Sequence, residues 1–201
     1  LEIKNLSISF FTRLFEIPAV MDFSCTVMPG EAMGLVGESG CGKSTTCSMI
    51  SNLLDPSAGD IRYEGQSIIG LKGKDLKNYR QNVQMIFQDP YESLNPRFRI
   101  VDIIAEGPRA LQLWDSAEIM HRVTDMMQKV GLDPKKYAER FPHELSGGER
   151  QRVGIASALV MEPKLVVADE PLSMLDVSIR AGIIDMMKEL QNDSQFSCIY
   201  V

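Results

Sequence analysis

Apolar and polar residues alternate along the first third of the chain, and this period of two predicts β-strands. From Leu1 to Phe10 the alternation slips once in phase near Asn5, which predicts either a strand with a bulge or two short strands. The stretch FSCTVMPGEAMGLVG is typical of a hairpin that turns at Pro29-Gly30, and GDIRYEGQSI is typical of a second hairpin. The first third is therefore predicted to be rich in strands and mostly antiparallel.

The period becomes helical in the middle of the chain, from about Tyr91 to Met161. Asp115 and Glu118 are typical of a cap that opens a helix running to Val130, with Gly131 as its stop. Apolar runs on either side of the helical block, VQMIFQ and LVVA, predict buried strands, and the last stretch, FSCIYV, predicts another. Before that last stretch, an apolar stripe at helical spacing predicts a helix packed on the core; its residues are Ile179, Ile183, Met187 and Leu190.

Composition and charge narrow the classes of function. The 201 residues contain 21 lysines and arginines against 27 aspartates and glutamates, so the net charge is −6. Because no basic stripe stands out, a primary nucleic-acid binder is not expected. A chain of this length has room for one domain with a sizeable core. No apolar run approaches the ~18 residues of a membrane span, and the four cysteines form no C-x-x-C pair, which favours a reducing, cytosolic setting.

The stretch GLVGESGCGKSTT contains the strongest chemical signal. Gly37 and Gly42 bracket four residues and are followed by Lys43 and Ser44, which is the pattern G-x-x-x-x-G-K-[ST] of a phosphate-binding loop. Glycines let backbone N–H groups curl around an anion, Lys43 would reach the β- and γ-phosphates, and the Ser44 hydroxyl would hold Mg²⁺. The plainer alternative is a glycine-rich turn with a solvated lysine.

The surroundings of this loop favour phosphate binding. Ala32 to Val36 is a short apolar run, as expected of a buried strand, and a helix is predicted from Thr45 onward. The N-terminus of such a helix adds its positive dipole end to an anion site. Strand, glycine loop and helix therefore follow one another in the order that the motif requires.

Two acidic residues directly follow the predicted strand LVVA. Asp169 would emerge at the carboxyl end of that strand, where α/β proteins bind ligands, and could hold Mg²⁺ through water. Glu170 next to it could polarise an attacking water. Acidic residues at a strand end are common without catalysis, but the phosphate loop elsewhere in the chain favours a nucleotide site.

The stretch ELSGGERQRVGIASAL combines a helix cap with two glycines. Ser146 and Glu149 form the S-x-x-E pattern of a capping box, so Ser146 could serve as a cap alone. Gly147 and Gly148 are poor helix formers, and their presence suggests that an anion approaches the exposed N–H groups. Since one phosphate loop is already present, this second anion site predicts another nucleotide, which a symmetric dimer would supply.

Five motifs occur in order along the chain: GESGCGKST, FQDP, LSGGERQR, LVVADEP and SMLD. With them the whole chain, 1–201, resembles the nucleotide-binding domain of an ABC (ATP-binding cassette) ATPase. The resemblance implies an α/β fold of the P-loop NTPase class, with a RecA-like core, an N-terminal antiparallel β subdomain and a helical insertion at about 91–161. It also implies ATP and Mg²⁺ as cofactors.

The resemblance assigns roles residue by residue. ATP would be bound by Gly37, Glu38, Ser39, Gly40, Cys41, Gly42, Lys43, Ser44 and Thr45, with Phe15 stacking on the base. Mg²⁺ would be held by Ser44, Gln88 and Asp169, while Glu170 and Gln88 would be catalytic. The signature that contacts the ATP of the opposite subunit would be Ser146, Gly147, Gly148 and Glu149, and Asp176 would lie at the dimer interface. For the stacking aromatic, Phe10 and Phe11 are alternatives to Phe15, and plain core packing is an equal alternative for each.

Two longer stretches, FQDPYESLNPRFRIVDIIAEGPR and ADEPLSMLDVSIRAGIIDMMKELQ, resemble the ATPases of oligopeptide and dipeptide importers and of their nickel-importing relatives. This implies a transport-coupled ATPase that converts ATP and water into ADP and phosphate by ATP-driven dimerisation. The expected partners are a second ATPase subunit, identical or different, transmembrane permease subunits and, indirectly, an extracytoplasmic substrate-binding protein. The expected location is the cytoplasm, at the inner face of the cell membrane.

Two other functions are open. One is a soluble ABC ATPase of a macromolecular machine, such as a phosphonate-breakdown accessory or a methyl-coenzyme M reductase activation component. The other is a non-catalytic module gated by nucleotide, which the joint presence of Lys43 and Glu170 disfavours. The family resemblance also places a switch histidine beyond the strand FSCIYV, a position that neither His121 nor His143 occupies. We therefore expect residues 1–201 alone to hydrolyse ATP slowly or not at all.

Overall fold

The structure, a computed structural model, describes residues 1–12 and 15–201, and the side chain of each of these except Glu92. The elements in chain order are β1 (Glu2–Phe11), β2 (Glu16–Thr26), β3 (Ala32–Gly34), α1 (Lys43–Ile50), β4 (Ala58–Tyr63), β5 (Gln66–Ser67), α2 (Gly73–Asn82), β6 (Val83–Ile86), α3 (Pro90–Ser93), α4 (Ile100–Leu111), α5 (Ser116–Lys129), α6 (Pro134–Tyr137), α7 (Gly147–Leu159), β7 (Leu165–Ala168), α8 (Val177–Ser194) and β8 (Ser197–Tyr200). A 3₁₀ turn, Pro142–Glu144, precedes α7.

The first sheet is antiparallel and has the strand order β2-β1-β4-β5. The phase slip near Asn5 is a bulge within one strand, because the register of β1 against β2 shifts between Ile3 and Leu6 and Asn5 has φ 49°. The predicted hairpin of β4 and β5 is confirmed. Its turn residues, Glu64 and Gly65, both have positive φ, as the tight turns that match the twist of paired strands require.

The prediction of a hairpin at Pro29-Gly30 is wrong. A turn is present there, since Glu31 N–H donates to Met28 O at 3.1 Å, but β2 and β3 belong to different sheets. The Ser197 hydroxyl, at the start of β8, donates to Met28 O and accepts from Gly30 N–H. The polar groups of the turn are thus satisfied by a distant strand, and turn chemistry alone does not decide which strand comes next to β3.

The second sheet is parallel and has the order β3-β8-β7-β6. All four residues of β7 are buried, as predicted. The strand predicted from Ala32 to Val36 is shorter and less buried than expected: it ends at Gly34, and Val36 is 93% exposed. Within the part of the chain that the structure describes, β3 pairs only with β8, so its side chains have fewer neighbours to cover them.

The parallel sheet is the middle layer of the molecule. Val166 and Ala168 pack with the helices α4, α5, α7 and α8 in one apolar cluster, whereas Leu165 and Val167 pack with the antiparallel sheet and α1 in the other. This alternation follows from the two-residue period of a strand. Among the described residues, no helix combines the length and apolarity needed to cross a membrane.

The helical block α3 to α7 lies between β6 and β7 in sequence. The predicted cap of α5 is confirmed, because the Asp115 side chain accepts from Glu118 N–H, and α5 ends just before Val130. Gly131 has φ 76°, a conformation that suits glycine at a helix end. The predicted class, α/β with an N-terminal antiparallel sheet and a helical insertion, is confirmed.

Candidate functional site

The glycine loop between β3 and α1 folds around the Lys43 ammonium. Nζ of Lys43 donates to the carbonyl oxygens of Gly37 at 2.9 Å and Glu38 at 2.8 Å. Gly42 has φ 93°, and a Cβ there would lie 2.2 Å from the Ala19 carbonyl oxygen of β2. Glycine is therefore required at this position both by conformation and by space. The helix α1 begins at Lys43 rather than at Thr45, so the lysine belongs to its first turn.

The end of β7 brings an acidic residue to this loop. Asp169 N–H donates to Ile86 O at 3.0 Å, which extends the pairing of β7 with β6 by one bond. The Asp169 side chain is buried, and its Oδ1 accepts from the Ser44 hydroxyl at 3.0 Å. Burial raises the pKa of the Asp169 carboxyl, the Ser44 hydrogen bond lowers it, and the neighbouring Glu170 raises it further. The net upward direction reflects a carboxylate with little access to water.

Glu170 follows in a conformation that is uncommon for its residue type. Its φ is 42°, in the left-handed region, and its carbonyl oxygen accepts from both the N–H and the hydroxyl of Ser173. Its carboxylate Oε2 accepts from the Gln88 amide Nε2 at 2.7 Å. The turn after β7 thus aims the Glu170 side chain towards the segment that follows β6.

These two contacts bring together three separate stretches of the predicted site: the phosphate loop, Gln88 and Asp169-Glu170. A hydroxyl, an amide and a carboxylate supply the oxygen ligands that Mg²⁺ prefers. The loop N–H groups, the helix N-terminus and the Lys43 ammonium supply the positive charge that phosphates need. The residues present therefore fit ATP with Mg²⁺.

The Ser146 segment opens α7 with a capping box, as predicted. Ser146 N–H donates to Glu149 Oε2 at 2.8 Å, and Ser146 Oγ accepts from Glu149 N–H at 3.4 Å. Among the residues that the structure describes, no hydrogen bond or ion pair joins Ser146–Glu149 to the phosphate loop. Within one chain the two predicted anion sites are therefore not connected by direct polar contacts.

The two glycines of this segment differ in their surroundings. A Cβ on Gly148 would lie 2.8 Å from Cγ2 of Ile179 in α8, whereas a Cβ on Gly147 would meet nothing closer than 3.7 Å. The sequence predicts that both glycines allow the approach of an anion. At Gly148, the packing of Ile179 against the helix is itself a sufficient reason for glycine. Packing gives no such reason at Gly147, where the approach of an anion stays the prediction.

Sequence reasoning missed two tyrosines near this segment. The Arg150 guanidinium lies 3.9 Å from the ring centroid of Tyr91, so the segment that follows Gln88 contacts α7. The Tyr137 hydroxyl donates to the Glu149 carboxylate. Neither contact has a signal in residue spacing, because each joins residues from separate elements. Tyr91 directly follows the motif FQDP in the sequence.

The remaining candidates lie at the surface. Asp176 is exposed and precedes α8; its carbonyl accepts from Ile179 N–H and Arg180 N–H, but its side chain makes no cap. Phe15 is 68% exposed, Phe11 76% and Phe10 44%. Exposure excludes plain core packing for these three phenylalanines, so stacking on a base stays a prediction for all of them.

Comparisons with known proteins place this chain in a family. A family model described as "ABC transporter" matches residues 20–173. The oligopeptide transport ATP-binding protein OppF of Bacillus subtilis is 47% identical over 100% of this chain and 66% of its own length. The dipeptide transport ATP-binding protein DppF of Lactococcus lactis subsp. cremoris is 45% identical over 100% of this chain and 65% of its own length. The chain thus spans just under two thirds of the length of these relatives.

Solved structures agree on the fold. The dimeric ATP-binding cassette MJ0796, in a post-hydrolysis state with ADP and Pi, superposes with a TM-score of 0.87 at 24% identity and covers 100% of this chain and 87% of its own. The structure of cbiO1 from Clostridium perfringens, part of the cbiONQ transporter complex, superposes with a TM-score of 0.82 at 26% identity and covers 99% of this chain and 76% of its own. These likenesses confirm the predicted fold class.

Proposed function

This chain belongs to the ABC transporter family, and from that premise we propose that it is the ATP-binding and ATP-hydrolysing subunit of an importer for oligopeptides or dipeptides. The ATPase assignment rests on one observation: the phosphate loop, Gln88 and the pair Asp169-Glu170 lie together in one site. Ser44 of the phosphate loop contacts Asp169 at 3.0 Å, and Gln88 contacts Glu170 at 2.7 Å. A phosphate cradle, a pair of acidic residues and an amide are the parts that phosphoryl transfer to water requires.

Each residue has a task in this proposal. Lys43 and the loop N–H groups bind the β- and γ-phosphates, and Ser44, Asp169 and Gln88 hold Mg²⁺ directly or through water. When bound, Mg²⁺ supplies positive charge that offsets the charge of the phosphates. Glu170 accepts a proton from the attacking water, and Gln88 orients Glu170 by the hydrogen bond seen in the structure.

A second subunit completes the site in this proposal. Ser146–Glu149 is not joined to the phosphate loop of its own chain by any polar contact in the described residues, and Asp176 is exposed. Both features suit an interface in which α7 of one subunit meets the nucleotide of the other. The dimeric state of the cassette MJ0796 supports this arrangement by analogy of fold.

The names of the relatives support a proposal for the cargo and the location. Those with 43–47% identity include several named as oligopeptide or dipeptide transport ATP-binding proteins. We infer that the subunit works at the inner face of the cell membrane with permease subunits, and that peptides rather than nickel are the cargo. A substrate-binding protein outside the membrane would deliver the peptide to the permease.

The ATPase assignment is tested by Mg²⁺-dependent ATP binding and phosphate release, and the cargo by uptake of a labelled peptide through the complete transporter. The expected result is peptide uptake that depends on ATP and is lost with Glu170→Gln. The matched control is Glu162→Gln, an exposed glutamate paired with Arg122 away from the site. Uptake of nickel in place of peptide would overturn the assignment of the cargo. A wild-type protein that binds no ATP would overturn the assignment as an ATPase.

A further inference from the structure

Tyr137 connects the helical block to the start of α7. It ends α6, the residue is 92% buried, and its hydroxyl donates to Glu149 Oε1 at 2.5 Å. The same hydroxyl accepts from the Lys136 ammonium at 2.8 Å. The Arg140 guanidinium lies 5.2 Å from the ring centroid. Tyr137 is therefore held by apolar packing around its ring and by a cation at its oxygen.

The other carboxylate oxygen of Glu149 is hydrogen-bonded to Ser146. Oε2 of Glu149 accepts from Ser146 N–H at 2.8 Å and from the Ser146 hydroxyl at 2.8 Å. Because a serine hydroxyl has a single proton, the direction of that proton depends on where Glu149 is held. Tyr137 fixes one carboxylate oxygen, and the rigid carboxylate transmits that position to the other oxygen.

The charge of Glu149 is secured by the same contacts. The Tyr137 hydrogen bond is the largest of several contributions that lower the pKa of Glu149 to about 2, followed by the hydrogen bond from Ser146 N–H. Glu149 therefore stays ionised at acidic pH values at which an ordinary glutamate is largely protonated. A neutral Glu149 would accept fewer hydrogen bonds and would leave the Ser146 hydroxyl free to rotate.

We propose that Tyr137 is a positioning residue for the Ser146–Glu149 segment, holding Glu149 so that the capping box keeps the first N–H groups of α7 arranged for a phosphate of the nucleotide on a second subunit. This inference rests on the proposed function. Tyr137 lies outside all the sequence motifs named above. In this proposal the hydrogen bonds that link Lys136, Tyr137 and Glu149 position the start of α7 as well as stabilising the fold. The competing role for Tyr137 is as an apolar filler of the helical core.

The first experiment does not depend on nucleotide. The Glu149 side-chain carboxyl is followed by ¹³C NMR in the wild type and in Tyr137→Phe, with the resonance assigned by its loss in Glu149→Gln. Loss of a hydrogen bond to a charged group should move the pKa of Glu149 up by about one to two pH units. Between about pH 5 and about pH 3 the wild type should stay ionised while the variant begins to protonate. The control is Tyr63→Phe, because the Tyr63 hydroxyl has no hydrogen-bond partner among the described residues. An unmoved Glu149 resonance overturns the inference.

The second experiment measures function in the assembled ATPase dimer. Tyr137→Phe should lower kcat/KM for ATP about tenfold, while ATP affinity of the isolated subunit stays within about twofold, since the phosphate loop is untouched. In a Glu149→Ala background, Tyr137→Phe should have no further effect, because its acceptor is gone. An undiminished effect in that background shows that the tyrosine acts through packing and overturns the inference.

The outcomes separate the inference from the function on which it rests. A wild-type protein that neither binds nor hydrolyses ATP overturns the proposed function and the inference with it. An active wild type with an equally active Tyr137→Phe variant overturns the inference alone. Circular dichroism of each variant at the assay temperature verifies that the compared proteins are folded.

Discussion

The Ser44 hydroxyl donates a 3.0 Å hydrogen bond to the Asp169 carboxylate, across 125 residues of sequence. This bond ties the first turn of α1 to the end of β7, which are the two elements that carry the phosphate loop and the acidic pair. It holds two side chains of the proposed Mg²⁺ site in contact with each other. The arrangement costs stability, because Asp169 is 95% buried and burial is the main cause of the raised pKa of its carboxyl.

Asp169→Asn should therefore stabilise the nucleotide-free protein and abolish the effect of Mg²⁺. A carboxyl whose folded-state pKa is raised destabilises the fold when ionised, so its cost is present at neutral pH and disappears as pH falls through the raised pKa. The gain in Tm from Asn should be largest near neutral pH and should shrink on acidification. Mg²⁺-ATP should raise the Tm of the wild type but not of the variant.

The control for this prediction is Asp125→Asn. Asp125 is half-exposed and pairs with Lys129 on α5, so its removal should change stability by less than about 1 kcal/mol. Differential scanning fluorimetry at several pH values, with and without Mg²⁺-ATP, measures both variants. An Asp169→Asn protein less stable than the wild type at neutral pH would contradict the argument from burial.

Lys43→Ala should weaken ATP binding by about 10²-fold or more, because it removes charge-assisted hydrogen bonds to phosphate. It also removes the bonds from Nζ to Gly37 O and Glu38 O, so the empty loop should become less ordered. Isothermal titration with ATP measures the affinity, and Lys72→Ala, an exposed lysine outside the loop, is the control. Equal affinities of the two variants for ATP would show that Lys43 does not contribute to phosphate binding.

Glu170→Gln should leave ATP binding within a few fold and lower kcat by about 10²–10⁴-fold, the range for loss of a general base. The amide is similar in size to the carboxylate and keeps an oxygen that can accept from Gln88 Nε2, so the local structure should persist. Single-turnover phosphate release measures the chemical step, and it is followed in the complete transporter because residues 1–201 alone are expected to hydrolyse ATP slowly or not at all. A variant that hydrolyses ATP at the wild-type rate would assign the base to another residue.

The helix caps at Asp115 and Ser146, the glycine loop between a strand and a helix, and the buried strand before Asp169 could be predicted because each depends on residues close in sequence. The hairpin at Pro29-Gly30 could not be predicted correctly, because the partner of β3 is β8 and the turn is stabilised by Ser197, which is distant in sequence. The contact of Tyr137 with Glu149 was missed for the same reason: it depends on how α6 packs against α7. Local chemistry specifies elements and motifs, whereas the choice among distant partners is made by packing.

The two glycines of the Ser146 segment allow a test of what each one is for. Gly148→Ala should lower the free energy of unfolding by about 1–3 kcal/mol, because the added Cβ would lie 2.8 Å from Ile179 Cγ2 and a packed site must shift to accept it. Gly147→Ala is the matched control: its Cβ would make only ordinary contacts with Leu175 and Tyr91, and alanine favours a helix. Its stability should lie within about 1 kcal/mol of the wild type.

A double variant distinguishes steric conflict from other causes. Ile179→Ala removes the Cγ2 atom that the new Cβ meets, so Gly148→Ala should cost much less in an Ile179→Ala background than alone. Urea unfolding of the four proteins of this cycle gives the coupling free energy, which should be about 1 kcal/mol or more. Additive effects would show that Ile179 is not the obstacle. A Gly147→Ala protein that is stable but impaired in ATP turnover in the dimer would show that glycine at 147 is needed for nucleotide binding or hydrolysis. Glycine at 148 would then be needed for packing against Ile179.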